Sequence, residues 1–209
     1  MSRPWYNLIA GESLERLAAL SDGIFAVAMT LLVLDIHVPS VEKIHSEQEL
    51  WWALSALGPR LLMWVMSFMT LGIFWTGQQT QLNHLEKSDR NFAWIHLAFL
   101  IFVTMVPFST NLMAEFIQYR LALAVYWANI FFLGATLYVS WRYASRAGLV
   151  KEESLELSCA IERRILIAQS LYAFGALLCL INTYWSLGFI VLVQLNFVIG
   201  PRFKVLSRL

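Results

Sequence analysis

Six long apolar runs, separated by shorter polar stretches, divide the chain. The first reads ERLAALSDGIFAVAMTLLVLDIHVP from Glu15 to Pro39, and between Leu17 and Leu34 only Ser21, Asp22 and Thr30 interrupt it. Such a run crosses a bilayer as a helix, because ~20 residues rising ~1.5 Å each span ~30 Å. The pattern predicts helices at about residues 15–37, 52–79, 91–112, 121–142, 163–181 and 184–200. Pro39 closes the first, since proline disfavours helix at the residue before it. Gly58-Pro59-Arg60 interrupts the start of the second, whose spanning part is placed at Leu61 to Trp75. Pro107 kinks the third and leaves a carbonyl unpaired, and Ser109 or Thr110 can help satisfy the freed groups. Gln78 to Arg90 and Arg142 to Arg164 read as connections, and Asn182-Thr183-Tyr184 folds the last two helices into a hairpin that ends at Gly200-Pro201.

The first helix carries a lengthwise seam. At ~100° per residue, Arg16, Leu20, Gly23, Val27, Thr30 and Leu34 fall within about 40° of one line. Their 4, 3, 4, 3, 4 spacing is the repeat by which a helix packs along neighbours or along its own copies. Ser21 and Asp22 lie well off that line. An ionisable group inside an apolar span is expensive unless it has a partner or faces water. Asp22 and Ser21 therefore either face a water-filled path or hold helices together inside the subunit, and the angular offset favours the second.

Composition agrees with a membrane chain. Hydrophobic residues make up 59% and charged residues 14%, against a charged share of about 25% in soluble domains. The fold class is all-α, a polytopic membrane protein of six transmembrane helices in one unit over residues 1–209, with little room for a soluble domain. A net charge of +1 gives no reason to invoke nucleic acid. No cleaved signal peptide is expected before Glu15. Trp5 and Tyr6 stand where an interfacial anchor belongs. Cys159 and Cys179 lack metal or C-x-x-C spacing and read as buried free thiols. Basic residues set the orientation: 12 fall on the side of the termini, and Lys43, Arg60 and Arg120 are the 3 on the other. Both termini are therefore expected in the cytoplasm, with the protein in the cell membrane.

One motif goes further. Arg16-x-x-x-Leu20-Ser21-Asp22, followed by Gly-Ile-Phe-Ala and Thr30-Leu-Leu-Val-Leu, resembles the R-x-x-x-F-S-D signature of the transmembrane protein 175 family. These are cation channels of lysosomes and bacteria, selective or partly selective for potassium. Leu20 replaces the usual Phe. Ser67-Phe68 with Phe74-Trp75, and Pro107-Phe108-Ser109-Thr110, are weaker echoes. Where the family often has a histidine pair after that Trp, this chain has Gln78 and Gln79.

The resemblance implies a homotetramer whose first helices line a central pore, with Val27, Thr30 and Leu34 at the constriction and Gly23 and Leu20 beside them. The seam reached by periodicity contains all five. The sequence has no T-V-G-Y-G loop, so selectivity falls to side chains: aliphatic rings at Val27 and Leu34 that expel water, and Thr30 hydroxyls between them. Trp75, Asn91 and His96 are the candidate partners of Ser21 and Asp22, since a buried acid needs donors. Arg16 is placed at the cytoplasmic mouth, facing an acid of a neighbouring subunit. Asp35, Glu42, Glu47 and Glu49 gather negative charge at the other mouth, where they either concentrate cations or form an ordinary solvated loop.

The expected function is a passive potassium-permeable channel with no cofactor and no metal or catalytic site, conducting potassium, with sodium or another monovalent cation as a further candidate. A secondary transporter is the alternative, but internal repeats and broken helices at matched positions are not found. A membrane enzyme is a third class, and no nucleophile elbow, metal spacing or phosphate loop supports it.

Overall fold

The structure, a computed structural model, describes residues 13–40, 44–154 and 156–199, without the side chains of 198 and 199. Trp5, Tyr6, Glu42, Lys43 and the basic residues beyond 199 lie outside the described residues. The helices are α1 (Leu14–Leu34), α2 (Glu47–Ala56), α3 (Gly58–Asn83), α4 (Arg90–Thr104), α5 (Val106–Glu115), α6 (Arg120–Ala147), α7 (Ser158–Leu177) and α8 (Thr183–Ile199). Among the described residues five segments are long and apolar enough to cross a membrane, the third being Arg90–Glu115, and Thr183–Phe197 is a shorter apolar helix.

Local chemistry sets the ends. Ser13 accepts the Arg16 amide at 3.3 Å and starts α1, and Asp89 accepts the Phe92 amide at 2.9 Å and starts α4. Gly148 ends α6 with φ 67°, a left-handed conformation that a Cβ would strain. α1 stops at Leu34, three residues before the expected end, where Asp35 takes the cap position. The predicted second helix is two, with a break at Leu57 just before Pro59. The third likewise breaks at Met105, two residues before Pro107. There the Ser109 and Thr110 hydroxyls both donate to the Val106 carbonyl.

The two stretches expected as polar connections are largely structured. α3 continues to Asn83, α6 to Ala147, and α7 begins at Ser158. The reason is a second apolar cluster at this end of the bundle, in which Leu82, Leu85, Leu149 and Val150 bury against Trp141. Backbone bonds from Glu86 to Leu149 (2.9 Å) and from Lys151 to His84 (3.0 Å) join the two connections. Cys159 is exposed on the first turn of α7, contrary to the expectation of a buried thiol, whereas Cys179 is buried.

The main core lies among α1, α3, α4, α5, α6 and α8, around Met63, Leu71, Phe99, Val103 and Leu133. Within it runs a buried polar chain. Gln194 donates to Thr70 (2.6 Å), Thr70 and Ser67 lie against the Tyr126 hydroxyl, and the Thr110 hydroxyl oxygen lies 2.7 Å from that of Ser67. In hydrocarbon such groups must satisfy one another, so this chain fixes α8, α3, α6 and α5 in one arrangement.

Candidate pore helix and its anchors

α1 presents two opposite faces. Ser21, Phe25, Ala28 and Leu32 are buried, Phe25 and Leu32 to 1% exposure. Leu20 (44%), Val27 (56%) and Leu34 (67%) are exposed, and so are Gly23 and Thr30. The seam is therefore left largely uncovered inside the subunit, while the line of Phe25, Ala28 and Leu32 is packed. Thr30 donates its hydroxyl proton to the Val27 carbonyl at 2.8 Å, which leaves its oxygen lone pairs free to face outward. Arg16 is exposed, and among the described residues its side chain makes no hydrogen bond or ion pair.

Asp22 bonds within the subunit. Its Oδ1 accepts from Trp75 Nε1 at 2.8 Å and from Gln79 Nε2 at 2.7 Å, both on α3. Ser21 sits one residue away and faces α4: its hydroxyl donates to the Leu17 carbonyl at 2.8 Å and lies 2.7 Å from His96 Nε2. With the hydroxyl proton committed to Leu17, the imidazole N–H is the donor to Ser21. Gln78 stands 3.5 Å from the same ring nitrogen. The two glutamines that replace the family's histidine pair thus both reach this cluster.

Asn91 does not join it. The residue is exposed on the first turn of α4 and makes no side-chain hydrogen bond among the described residues. Asp89 does the work at that place, since it caps α4 and accepts the Tyr143 hydroxyl at 2.8 Å. Gln79 was missed, although it follows Trp75 by four residues and so shares its helix face.

At the other end of α1, Asp35 Oδ1 accepts from Asn111 Nδ2 of α5 at 3.1 Å, and the His37 ring bonds the Asp35 carbonyl at 3.0 Å. Partial burial pushes the Asp35 carboxyl above the ordinary carboxylate range, and the nearby His37 charge opposes this. Arg60 pairs with Glu115 close by, joining α3 to the end of α5. Among the described residues no group of three His, Cys, Asp or Glu stands together as a metal site.

Comparison with known proteins shows the family. The family model described as endosomal/lysosomal potassium channel TMEM175 matches residues 16–107, a stretch that includes most of α1 together with Trp75, Gln79 and His96. A potassium channel of Streptomyces collinus is 31% identical over 190 residues, covering 89% of this chain and 84% of that protein. One of Chamaesiphon minutus is 32% identical over 188 residues, covering 87% and 92%. The crystal structure of a lysosomal potassium-selective channel TMEM175 homolog from Chamaesiphon minutus superposes with a TM-score of 0.79 at 28% identity, over 89% of this chain and 96% of that one. Matched to these relatives over most of its length in sequence and in fold, the chain belongs to the TMEM175 family.

Proposed function

We propose that the chain is a potassium-permeable channel of the cell membrane, formed by four copies with α1 of each around a central pore. The observation that carries this reading is the bare seam. Leu20, Gly23, Val27, Thr30 and Leu34 form an exposed line along a membrane-length helix whose opposite face is fully packed. Burying that line costs nothing inside the subunit, so it is available to face an axis shared by copies. Around such an axis Val27 and Leu34 give apolar constrictions that conduct only when wetted, and Thr30 gives hydroxyl oxygens between them. Conduction is passive and needs no cofactor. Lys and Arg counts support both termini in the cytoplasm, with 12 of 15 on that side. That orientation puts Asp35, Glu47 and Glu49 around the outer mouth, where negative charge raises the local cation concentration.

The test is a planar-bilayer recording of the purified protein with potassium on one side and sodium on the other. Discrete currents that reverse toward the potassium equilibrium potential are expected. Flux that saturates and stays coupled to a second solute would make the protein a transporter and refute the proposal.

A further inference from the structure

Between α1, α3 and the start of α7 lies a groove of ≈ 690 Å³ that the proposed pore seam does not line. Ala26 and Met29 of α1, Phe68, Gly72 and Ile73 of α3 and Phe197 of α8 wall it. Phe68 (45%) and Trp75 (40%) are exposed along it, so the groove opens sideways at membrane depth. It is not the seam: at ~100° per residue, Asp22, Ala26 and Met29 centre about 130° around α1 from Leu20, Val27 and Leu34. Gly72 lines the groove, and a Cβ there would meet open space.

Two charged groups stand at the end where α1 and α7 begin, and they differ. Asp22 gives one oxygen to Trp75 and Gln79. Arg164, exposed on α7, has no hydrogen bond or ion pair among the described residues. A guanidinium presents five N–H donors in a fork that matches phosphate oxygens. From Phe68 to Thr76 the groove follows about 12 Å of α3, most of one leaflet's ~15 Å of hydrocarbon. An apolar trough of that depth with a free guanidinium at its rim has the chemistry of a phospholipid site.

We propose that this groove holds an acyl chain of a phospholipid from the leaflet at that end, with the phosphate on Arg164. The Asp22 carboxylate on the same wall disfavours a second negative charge and suits a headgroup amine. Phosphatidylethanolamine is therefore the fitting occupant, and phosphatidylglycerol the poorer one. The binding is independent of conduction, so failure of the channel proposal would leave it standing, and the reverse holds too.

Native mass spectrometry of the full chain, purified in detergent and incubated with phosphatidylethanolamine, phosphatidylglycerol or diacylglycerol, reads occupancy directly. Phosphatidylethanolamine should be retained most strongly and diacylglycerol not at all. Arg164→Gln, a surface change, should weaken retention about tenfold, the loss of one charge-assisted contact. Gly72→Leu should block the groove and abolish retention with Arg164 intact. Equal binding by Arg164→Gln, or phosphatidylglycerol held as tightly as phosphatidylethanolamine, would overturn the assignment. So would a Gly72→Cys variant lacking Cys159 that a short thiol reagent links to a second copy, because a neighbouring subunit would then fill the groove.

Discussion

Replacing Asp22 with Ala removes the acceptor of two hydrogen bonds, from Trp75 at 2.8 Å and Gln79 at 2.7 Å, and leaves both donors without it. Hydrogen bonds between membrane helices average ~0.6 kcal/mol, and bonds to charged groups reach ~1.5 kcal/mol or more. Two such bonds therefore give about 1–3 kcal/mol. Asp22 is exposed, which screens the charge and favours the lower half of that range. A change of about 2 kcal/mol corresponds to ~4–8 °C in Tm for a chain of this size. The assay is thermal unfolding of the detergent-purified protein, for Asp22→Ala, Trp75→Phe and the double variant. Trp75→Phe deletes the indole N–H while it keeps an aromatic ring, so it should cost little once Asp22 is gone. If the two losses simply add, no bond couples the residues. If Asp22→Ala instead keeps its stability and changes the potassium-to-sodium ratio, the carboxylate meets the ion and its role as an anchor is refuted.

Along the seam, Val27→Ala and Leu34→Ala should widen the constrictions and raise leak current, whereas Thr30→Val should lower potassium conductance without widening the pore. Ile24 and Val33 are the off-seam controls, and currents that respond to those two alone would move the pore to another face. Gly175→Ala should destabilise the α7–α8 hairpin by about 1–3 kcal/mol, read as a lower Tm, because its Cβ would lie 2.9 Å from Ile190 and 3.1 Å from Phe189. For orientation, Gln48→Cys should react with an impermeant thiol reagent from outside the cell and Glu153→Cys should not, both in a Cys159→Ser background. Ser154 is unsuitable as a probe, since it is buried and bonded to His84 at 3.0 Å.

The sequence was most informative where one helix obeyed one period. The 4-3 seam and the offset of Ser21 and Asp22 are properties of α1 alone, and the bare and packed faces of the helix follow that division. Partners on other helices were harder to read. Trp75 and His96 were legible because an indole or an imidazole can donate to a buried polar group, whereas Asn91 had only its depth to suggest it and its side chain is exposed. Gln79, four residues after Trp75, shares its helix face and so was within reach of the same acid. The extended ends of α3 and α6 were not legible, because Leu85, Leu149 and Val150 look like isolated apolar residues in polar stretches until they meet Trp141.

The placement of the α1 anchors has a mechanical consequence. Side-chain hydrogen bonds tie α1 to the rest of its subunit at Ser21 and Asp22 near one end and at Asp35 just past the other. Between them, over about 20 Å, only apolar packing resists rotation. The helix is a rigid rod, so a twist that releases one end misaligns the other, and the two sets of ties act as a single lock against torque. The face that α1 turns outward is accordingly decided from behind, by residues that never reach it. Substitutions at Trp75, His96 or Asn111 can therefore re-aim Val27 and Leu34 while leaving their chemistry untouched.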